Sequence, residues 1–130
     1  MKENRVAQSP IREEAIIEAL RDGSFEEVYK IISGIRGEER VSQSQARKIL
    51  EEIRKIKDKN NKEELKNGII KTLMFIEYQS KRRVLPENVK KYYNAILETA
   101  LKVCNENPEN LGKNLYDLIE MLTIKFYERS

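Results

Sequence analysis

Apolar residues recur along this chain every three or four positions, and no stretch alternates between apolar and polar residues for long. A spacing of three to four residues is typical of helices that bury one face, whereas strands alternate. The pattern therefore predicts an all-α fold, a compact bundle of five to six helices without a β-sheet, in one domain over residues 1–130. Residues 1–8 are predicted to form a disordered lead, residues 9–34 two short helices, and residues 42–127 three to four longer helices.

Cap residues mark where these helices should begin, because their side chains accept hydrogen bonds from the free N–H groups of a first helical turn. Proline is also favoured in that turn. The third helix is expected to run to about Lys59, and residues 33–41, with two glycines and four charges, to form a solvated loop. The start signals are Ser9-Pro10, the capping boxes Ser24–Glu27 and Ser42–Gln45, Asn61, Pro86 and Asn107-Pro108.

The fourth predicted helix has an unusually wide apolar face, which is expected of a helix at the centre of a bundle or at a subunit interface. Gly68 in this helix is expected where another helix approaches closely. Cys104 lies on the apolar stripe of the fifth helix, so it is expected to be buried rather than reactive. The tyrosines expected in the core are Tyr29, Tyr116, Tyr127 and at least one of Tyr92 and Tyr93.

Charge is segregated along the chain. Residues 47–91 contain 14 of the 25 Lys and Arg residues but 7 of the 22 acids, a formal charge of +7. The whole chain carries +3, so the remaining residues carry about −4. Segregated positive charge indicates an anionic partner, and phosphate groups are the partner that Lys and Arg suit best.

The densest group of cations is Lys81-Arg82-Arg83, where the fourth predicted helix ends and Pro86 opens the fifth. Few acids lie close enough in sequence to neutralise these three charges. Lys90 lies in the first turn of the next helix, where the helix dipole disfavours a cation, so an anion is expected nearby. These residues are therefore candidates for contact with phosphate.

Arg47 and Lys48, near the start of the third predicted helix, are further candidates for contact with phosphate. The alternative is that they pair with Glu51 and Glu52, three or four residues further along the same helix, as surface helices commonly do. The sequence alone does not decide between these two roles.

The chain contains no histidine, one cysteine and five isolated glycines. The absence of histidine removes the commonest general base and metal ligand, and with them every Ser-His and Cys-His nucleophile pair. One cysteine cannot form a zinc site, and isolated glycines cannot form a phosphate-binding loop. We therefore predict a non-enzymatic protein without a cofactor or a metal.

No window of the sequence approaches the ~20 apolar residues of a membrane span. Met1–Ser9 is polar and lacks the apolar core of a signal peptide. A lone cysteine cannot form an internal disulfide, which fits a reducing compartment. The sequence therefore predicts a cytoplasmic protein with no membrane partner.

Two other functions compete with binding of a phosphate backbone. The wide apolar face of the fourth helix would also suit a protein–protein adaptor or a self-associating bundle, in which the basic residues only aid solubility. A helix-turn-helix DNA-binding protein is disfavoured, because no tight turn precedes the third helix. Salt-dependent binding of RNA would distinguish the first function from the adaptor.

Three motifs occur in a recognisable order between Ser42 and Tyr127. Residues Ser42–Leu50, SQSQARKIL, resemble the helix start T-x-S-Q-I-R-x-I-L, and residues Leu73–Arg82, LMFIEYQSKR, resemble L-x-x-x-x-Y-x-x-G-R. Residues Leu115–Tyr127, LYDLIEMLTIKFY, resemble the C-terminal helix F-x-x-x-x-E-A-L-V-A-Y. In this combination, over roughly residues 40–127, the chain is similar to the small subunit of the type III-A CRISPR effector complex, the Csm complex.

The resemblance implies a helical, non-enzymatic subunit that stacks in several copies beside other subunits of the effector complex and contacts guide and target RNA through basic residues. Arg47 and Arg82 match the arginines of the first two motifs, and Tyr78 matches a tyrosine with a structural role. Lys81 replaces a glycine of the second motif, and Lys125 puts a cation where the third motif has an aromatic residue. The RNA-binding residues predicted in this way and from charge are Arg47, Lys48, Lys81, Arg82, Arg83, Lys90 and Lys125.

Overall fold

The computed structural model describes residues 9–106 and 108–127, apart from the side chain of Pro108. Over these ranges the chain forms six helices and no strand, which confirms the predicted all-α bundle. The predicted lead at residues 1–8 and the predicted cap Asn107 lie outside the described residues. The helices are α1 Glu13–Asp22, α2 Glu26–Ser33, α3 Gln43–Arg54, α4 Lys62–Lys81, α5 Glu87–Val103 and α6 Pro108–Phe126.

Two of the predicted side-chain caps are confirmed. The hydroxyl of Ser42 accepts a hydrogen bond from the N–H of Gln45 at 3.1 Å, at the start of α3. The side-chain oxygen of Asn61 accepts hydrogen bonds from the N–H groups of Glu63 and Glu64 at 2.8 and 3.1 Å, at the start of α4. Each side chain satisfies donors that have no partner inside the helix.

Three predicted boundaries are wrong. α1 begins at Glu13 rather than at Ser9-Pro10; the Ser9 hydroxyl donates to the carbonyl of Ile11 and accepts from its N–H at 3.3 Å, so it closes a local turn ahead of the helix. Ser24 does not cap α2, which begins at Glu26 without a side-chain cap. α3 ends at Arg54, and residues 55–58 form turns. The N–H groups of Lys55, Ile56, Lys57 and Lys59 bond carbonyls three residues back, a tighter winding than that of an α-helix.

The six helices form three layers, with α5 and α6 in the middle. α1 and α2 lie on one side and α3 and α4 on the other, and the described residues show no packing between these two outer layers. α6 packs against all five other helices, so it is the central helix rather than α4. The wide apolar face of α4 therefore does not reflect a central position.

Burial confirms part of the predicted core. Cys104 is buried, as are Tyr93 and Tyr116. Tyr29 and Tyr127 are exposed, so their predicted place in the core is wrong. Both follow the apolar spacing of their segments but lie at its edge, where the neighbouring helices leave a groove.

A buried hydrogen bond fixes the contact between the two central helices. The hydroxyls of Tyr93 and Thr123 lie 2.8 Å apart, and the Thr123 hydroxyl also bonds the carbonyl of Ile119 at 2.7 Å. Tyr93 has no exposed surface, and this burial raises the pKa of its hydroxyl. The tyrosine therefore stays neutral and serves packing.

Two glycines allow close packing around Ile56, in the turn that follows α3. A Cβ atom at Gly68 would lie 1.9 Å from Cγ2 of Ile56, so the close approach predicted at this glycine is confirmed, but the neighbour belongs to a turn rather than to a helix. A Cβ atom at Gly112 would lie 2.3 Å from the carbonyl oxygen of Ile56, a contact that no L side chain tolerates without movement of the backbone. α4 and α6 therefore both press against this turn.

Candidate nucleic-acid interface

Four helix ends meet at one end of the bundle: the start of α3, the end of α4, the start of α5 and the end of α6. The N–H of Val41 donates to the carbonyl of Phe126 at 2.7 Å, which ties the loop before α3 to the end of α6. Ser42, Ser80 and Pro86 line one groove, so the other three helix ends are also adjacent. We call this region the basic end and define it by Arg36, Arg40, Lys81, Arg82, Arg83, Lys90 and Lys91.

The chain leaves α4 through a hydrogen-bonding pattern that normally requires glycine. The N–H of Val84 bonds the carbonyl of Gln79 at 3.1 Å, and the N–H of Arg83 bonds the carbonyl of Ser80 at 2.9 Å. This is the Schellman arrangement, whose turning residue is left-handed and usually glycine. Here that residue is Arg83, with a φ of 65°, the only non-glycine residue with positive φ in the described chain.

The three cations of this junction form no ion pair within the part of the chain that the structure describes, although the charge of Lys81, after that of Lys90, acts on the Glu77 carboxylate. Lys81, Arg82 and Arg83 are exposed, and the ion pairs among the described residues include none of them. The guanidinium of Arg82 lies 5.5 Å from the centre of the Tyr78 ring, a distance at which the ring attracts the cation. The side chain of Tyr78 is exposed, so it orients Arg82 rather than packing in the core.

Arg40 joins this cluster from the loop before α3. Arg40 and Arg83 line one groove of about 590 Å³. Nη1 of Arg40 bonds the carbonyls of Gly37 and Glu39 at 3.1 and 2.9 Å, which holds the side chain in place. The carboxylate of Glu87 in the same groove accepts a hydrogen bond from the Ser80 hydroxyl at 2.9 Å.

A second, smaller groove lies beside the first. It has a volume of about 210 Å³, and its lining includes Arg36, Lys91 and the ring of Tyr92. The ammonium of Lys91 lies 5.3 Å from the centre of that ring, and Glu39 is the acid at the rim. Sequence patterns do not identify Arg36 and Arg40 as part of this site, because nothing in the loop shows that it crosses the ends of α5 and α6.

The anion expected near Lys90 is a carboxylate of the protein itself. Its ammonium pairs with the carboxylate of Glu77 at 2.6 Å, and the lysine side chain is mostly buried. The hydrogen bond between them lowers the pKa of Glu77 and raises the pKa of Lys90. The unfavourable position in the first turn of α5 is therefore compensated by α4, and Lys90 is less available to an outside anion than its neighbours.

Arg47 and Lys48 are exposed on α3 and do not form the alternative ion pairs with Glu51 or Glu52. Glu52 pairs instead with Lys55 at 3.1 Å. Arg47 lines a groove of about 390 Å³ between α3 and α6, so the structure places it near the basic end but on a different surface from Arg83. The groove is otherwise lined by Gln43, Ala46, Leu50, Glu51, Arg54, Thr123, Ile124 and Tyr127.

Lys125 lies apart from the other candidates. Its ammonium donates to the carbonyl of Ser33 at 3.1 Å, at the C-terminal end of α2, where a cation is favourable. It lines a groove between α2 and α6 that contains neither Arg47 nor Arg83. The seven predicted residues thus fall into three groups: the basic end with four, α3 with Arg47 and Lys48, and Lys125 alone.

Comparisons with protein families, with curated proteins and with solved structures found no match to this chain. Within residues 9–106 and 108–127, no group of three or more Cys, Asp or Glu residues is placed to hold a metal ion. No helix in the same ranges has the length and apolar character that crossing a membrane requires. The candidate site is therefore defined by its own charges and grooves.

Proposed function

We propose that this chain is a non-catalytic, cytoplasmic RNA-binding subunit that holds RNA by its phosphate backbone. The observation that carries the proposal is the group of exposed cations at the end of α4, which form no ion pair among the described residues and lie beside grooves that Arg36, Arg40 and Lys91 line. Because its three motifs resemble those of that family, we further propose that the chain is the small subunit of a type III-A CRISPR effector complex in antiviral defence. Guide RNA, target RNA and other subunits of the complex are its proposed partners.

Electrostatics supports phosphate as the ligand. Three exposed cations in sequence repel one another unless an anion lies between them, and bringing in phosphates releases the counterions of the RNA. Both grooves also adjoin the N-terminus of α5, whose dipole adds positive potential and which no side chain caps. Such contacts carry no sequence information, so base pairing between guide and target supplies the specificity.

The backbone at Arg83 gives independent support. A left-handed conformation costs a residue with a Cβ roughly 1–2 kcal/mol, and glycine would avoid this cost. An arginine in that position orients its side chain away from the helix axis, into the groove that Arg40 also lines. Strain of this kind is characteristic of positions where function outweighs stability.

Fluorescence anisotropy with a ~40-nucleotide single-stranded RNA, at low and moderate salt, tests the proposal. The variant Lys81→Glu/Arg82→Glu/Arg83→Glu should lose most of the affinity of the wild type, by a factor of about 100 if each contact contributes about 1 kcal/mol. A matched control is Lys55→Glu/Lys59→Glu/Lys62→Glu, which changes the net charge equally around the turn that joins α3 to α4. Equal loss in both variants, or no binding by the wild type, would contradict the proposal.

A second function, self-association or protein–protein adaptation, is favoured by one specific observation. Ile70, Met74 and Tyr78 on α4 are exposed, although they belong to the helix with the widest apolar face. Several copies of an RNA-binding subunit would hold a long duplex through many weak contacts, so self-association and RNA binding are compatible.

A further inference from the structure

The smaller groove of the basic end contains an acid that phosphate binding does not explain. Its lining brings the carboxylate of Glu39 together with the cations Arg36 and Lys91. None of the three takes part in an ion pair among the described residues. A carboxylate repels phosphate, so a site for phosphate alone would bind more strongly without Glu39. The groove therefore indicates a ligand that offers hydrogen-bond donors as well as negative charge.

The loop that carries Glu39 is held in place by the protein itself. The N–H of Val41 donates to the carbonyl of Phe126 at 2.7 Å, and Nη1 of Arg40 bonds the carbonyls of Gly37 and Glu39. Oε1 of Glu39 lies 3.8 Å from the position that a Cβ atom at Gly37 would take, so the carboxylate lies beside the backbone of its own loop. A loop that is already ordered binds a ligand at a lower entropic cost than one that the ligand must order.

Tyr92 gives this groove an aromatic wall. Its ring packs against that of Phe126, with the ring centres 5.5 Å apart, and remains partly exposed. The ammonium of Lys91 lies 5.3 Å from the centre of the Tyr92 ring. An exposed contact between a cation and a ring is weaker than the stacking of a nucleobase on that ring. A base that enters the groove therefore displaces the ammonium, which is then free to meet a phosphate.

The size of the groove limits the ligand to something small. Its volume of about 210 Å³ lies below the roughly 300–1,000 Å³ of pockets that hold drug-sized molecules. A peptide segment or a nucleic-acid duplex does not enter such a space, whereas a single unpaired base does. RNA-binding proteins commonly read unpaired bases in this way, by stacking on an aromatic ring and by hydrogen bonds to the edges of the base.

Hydrogen-bonding chemistry selects guanine among the four RNA bases. Guanine alone presents two adjacent donors, N1–H and the N2 amino group, which one carboxylate accepts together. In adenine, cytosine and uracil each donor lies beside an acceptor, which the carboxylate of Glu39 would repel. The adjoining edge of guanine presents the acceptors O6 and N7, to which an arginine donates two hydrogen bonds. Glu39 and Arg36 thus complement two neighbouring edges of this one base.

We infer that the groove binds an unpaired guanine of the RNA. Glu39 accepts hydrogen bonds from its N1–H and N2 amino groups, Arg36 donates to O6 and N7, and Lys91 meets the phosphate of the same nucleotide. A guanine inside a duplex uses N1–H and the N2 amino group in its base pair, so paired guanines are excluded. The inference rests on the proposed function, because the other cations of the basic end supply most of the affinity, and it adds a preference for one base.

Fluorescence anisotropy with uridine-rich single strands of about ten nucleotides, in which one central base is varied, tests the inference. The wild type should bind the guanine strand about tenfold more tightly than the adenine, cytosine or uracil strand, as one bidentate base contact predicts. Inosine lacks only the N2 amino group, so the inosine strand should bind about threefold more weakly than the guanine strand.

The variant Glu39→Ala should bind all five strands with affinities within about twofold of one another. Its affinity for the guanine strand should fall, whereas removal of a negative charge alone would raise the affinity for every strand. Glu38→Ala is the matched control, because Glu38 is exposed in the same loop but does not line the groove. It loses the same charge and should keep the preference for guanine.

Free guanosine monophosphate distinguishes a base within RNA from a free nucleotide. At about 1 mM it should leave the guanine strand bound, since a single nucleotide lacks the contacts to the other cations. Displacement of the strand, equal binding of all strands by the wild type, or a guanine preference that survives in Glu39→Ala would each overturn the inference. In the last two cases RNA is still bound and the proposed function stands, whereas a wild type that binds none of the strands contradicts both.

Discussion

The cations of the α1–α2 layer and those of residues 47–91, which include five of the seven residues of the basic end, differ in how they are paired. Each of the three cations in residues 9–33 forms an ion pair: Arg12 with Glu27, Arg21 with Glu106, and Lys30 with Glu26. Of the 14 cations in residues 47–91, the ion pairs within the described chain include Lys55 and Lys90 alone. The same residue types therefore stabilise the fold in one region and stay available to a ligand in the other.

Under the proposed function, the pairing of charges rather than their number distinguishes the RNA-binding surface from the rest of the protein surface. Exposed ion pairs add little to stability, on the order of 0–1 kcal/mol each. The lack of ion pairs at Lys81, Arg82 and Arg83 among the described residues therefore costs the fold little, whereas such pairs would compete with phosphate for the same donors. Changes in the packed regions should thus alter stability without altering RNA binding, whereas changes at the basic end should alter RNA binding and affect stability only through the backbone or the Glu77–Lys90 pair.

The largest effect is expected from Gly112→Ala, far from the basic end. The new Cβ would lie 2.3 Å from the carbonyl oxygen of Ile56, so α6 or the turn after α3 must shift. We expect a loss of about 3 kcal/mol in the free energy of unfolding, the upper part of the range for overpacking. Urea denaturation measures it, and RNA affinity of the folded variant should be unchanged; unchanged stability would contradict the packing described here.

A smaller loss is expected from Thr123→Val, at the contact between α5 and α6. The substitution keeps the shape of the side chain but removes the hydroxyl that bonds Tyr93 at 2.8 Å. The buried Tyr93 hydroxyl is left without that partner, at a cost of about 1–2 kcal/mol. The double variant with Tyr93→Phe should recover part of this loss, and a Thr123→Val protein as stable as the wild type would show that the bond contributes nothing.

Arg83→Gly should separate stability from binding. Glycine relieves the left-handed strain, so we expect a gain of about 1 kcal/mol in stability together with weaker RNA binding. Arg82→Gly is the matched control, because Arg82 has a φ of −79° and gains nothing from glycine. Both variants should lose RNA affinity, but Arg82→Gly should also lose stability. Equal changes in stability for the two would contradict the role assigned to strain at Arg83.

The smallest effect concerns the boundary of the basic end. Glu77→Gln removes the carboxylate that holds Lys90, so RNA affinity should rise by about twofold, less than the effect of one full phosphate contact. Because the folded-state pKa of Glu77 is lowered, the pair stabilises the protein near neutral pH and this contribution is lost as the pH falls through that pKa. The melting temperature of the variant should therefore fall less steeply than that of the wild type as the pH is lowered. The same pH dependence in both proteins would contradict this.

Local signals predicted much of the fold. Helical periodicity placed all six helices, and the caps Ser42 and Asn61 were identified because a cap bonds donors two or three residues away. The close approach at Gly68 could be predicted because a glycine within an apolar helix face has few other uses. The prediction that Ser24 caps α2 was wrong, because a cap sequence is necessary for such a bond but does not ensure that the chain forms it.

The site was less predictable, because its composition depends on contacts between distant segments. The cluster Lys81-Arg82-Arg83 is visible in the sequence, since its charges are adjacent. Arg36 and Arg40 join it only because Val41 bonds the end of α6, 85 residues further along. The pairing of Lys90 with Glu77 likewise spans two helices, so no pattern within α5 reveals it.

The salt dependence of RNA binding tests the central claim most directly, because its slope counts the phosphates that the protein neutralises. For single strands, each phosphate contact contributes about 0.7 to the slope of log affinity against log salt concentration. Neutralising the junction, with Lys81→Gln/Arg82→Gln/Arg83→Gln, should lower the slope by about 2, whereas Lys55→Gln/Lys59→Gln/Lys62→Gln should leave it unchanged. If both variants keep the slope of the wild type, the unpaired cations at the end of α4 do not contact RNA, and the basic end is not the interface.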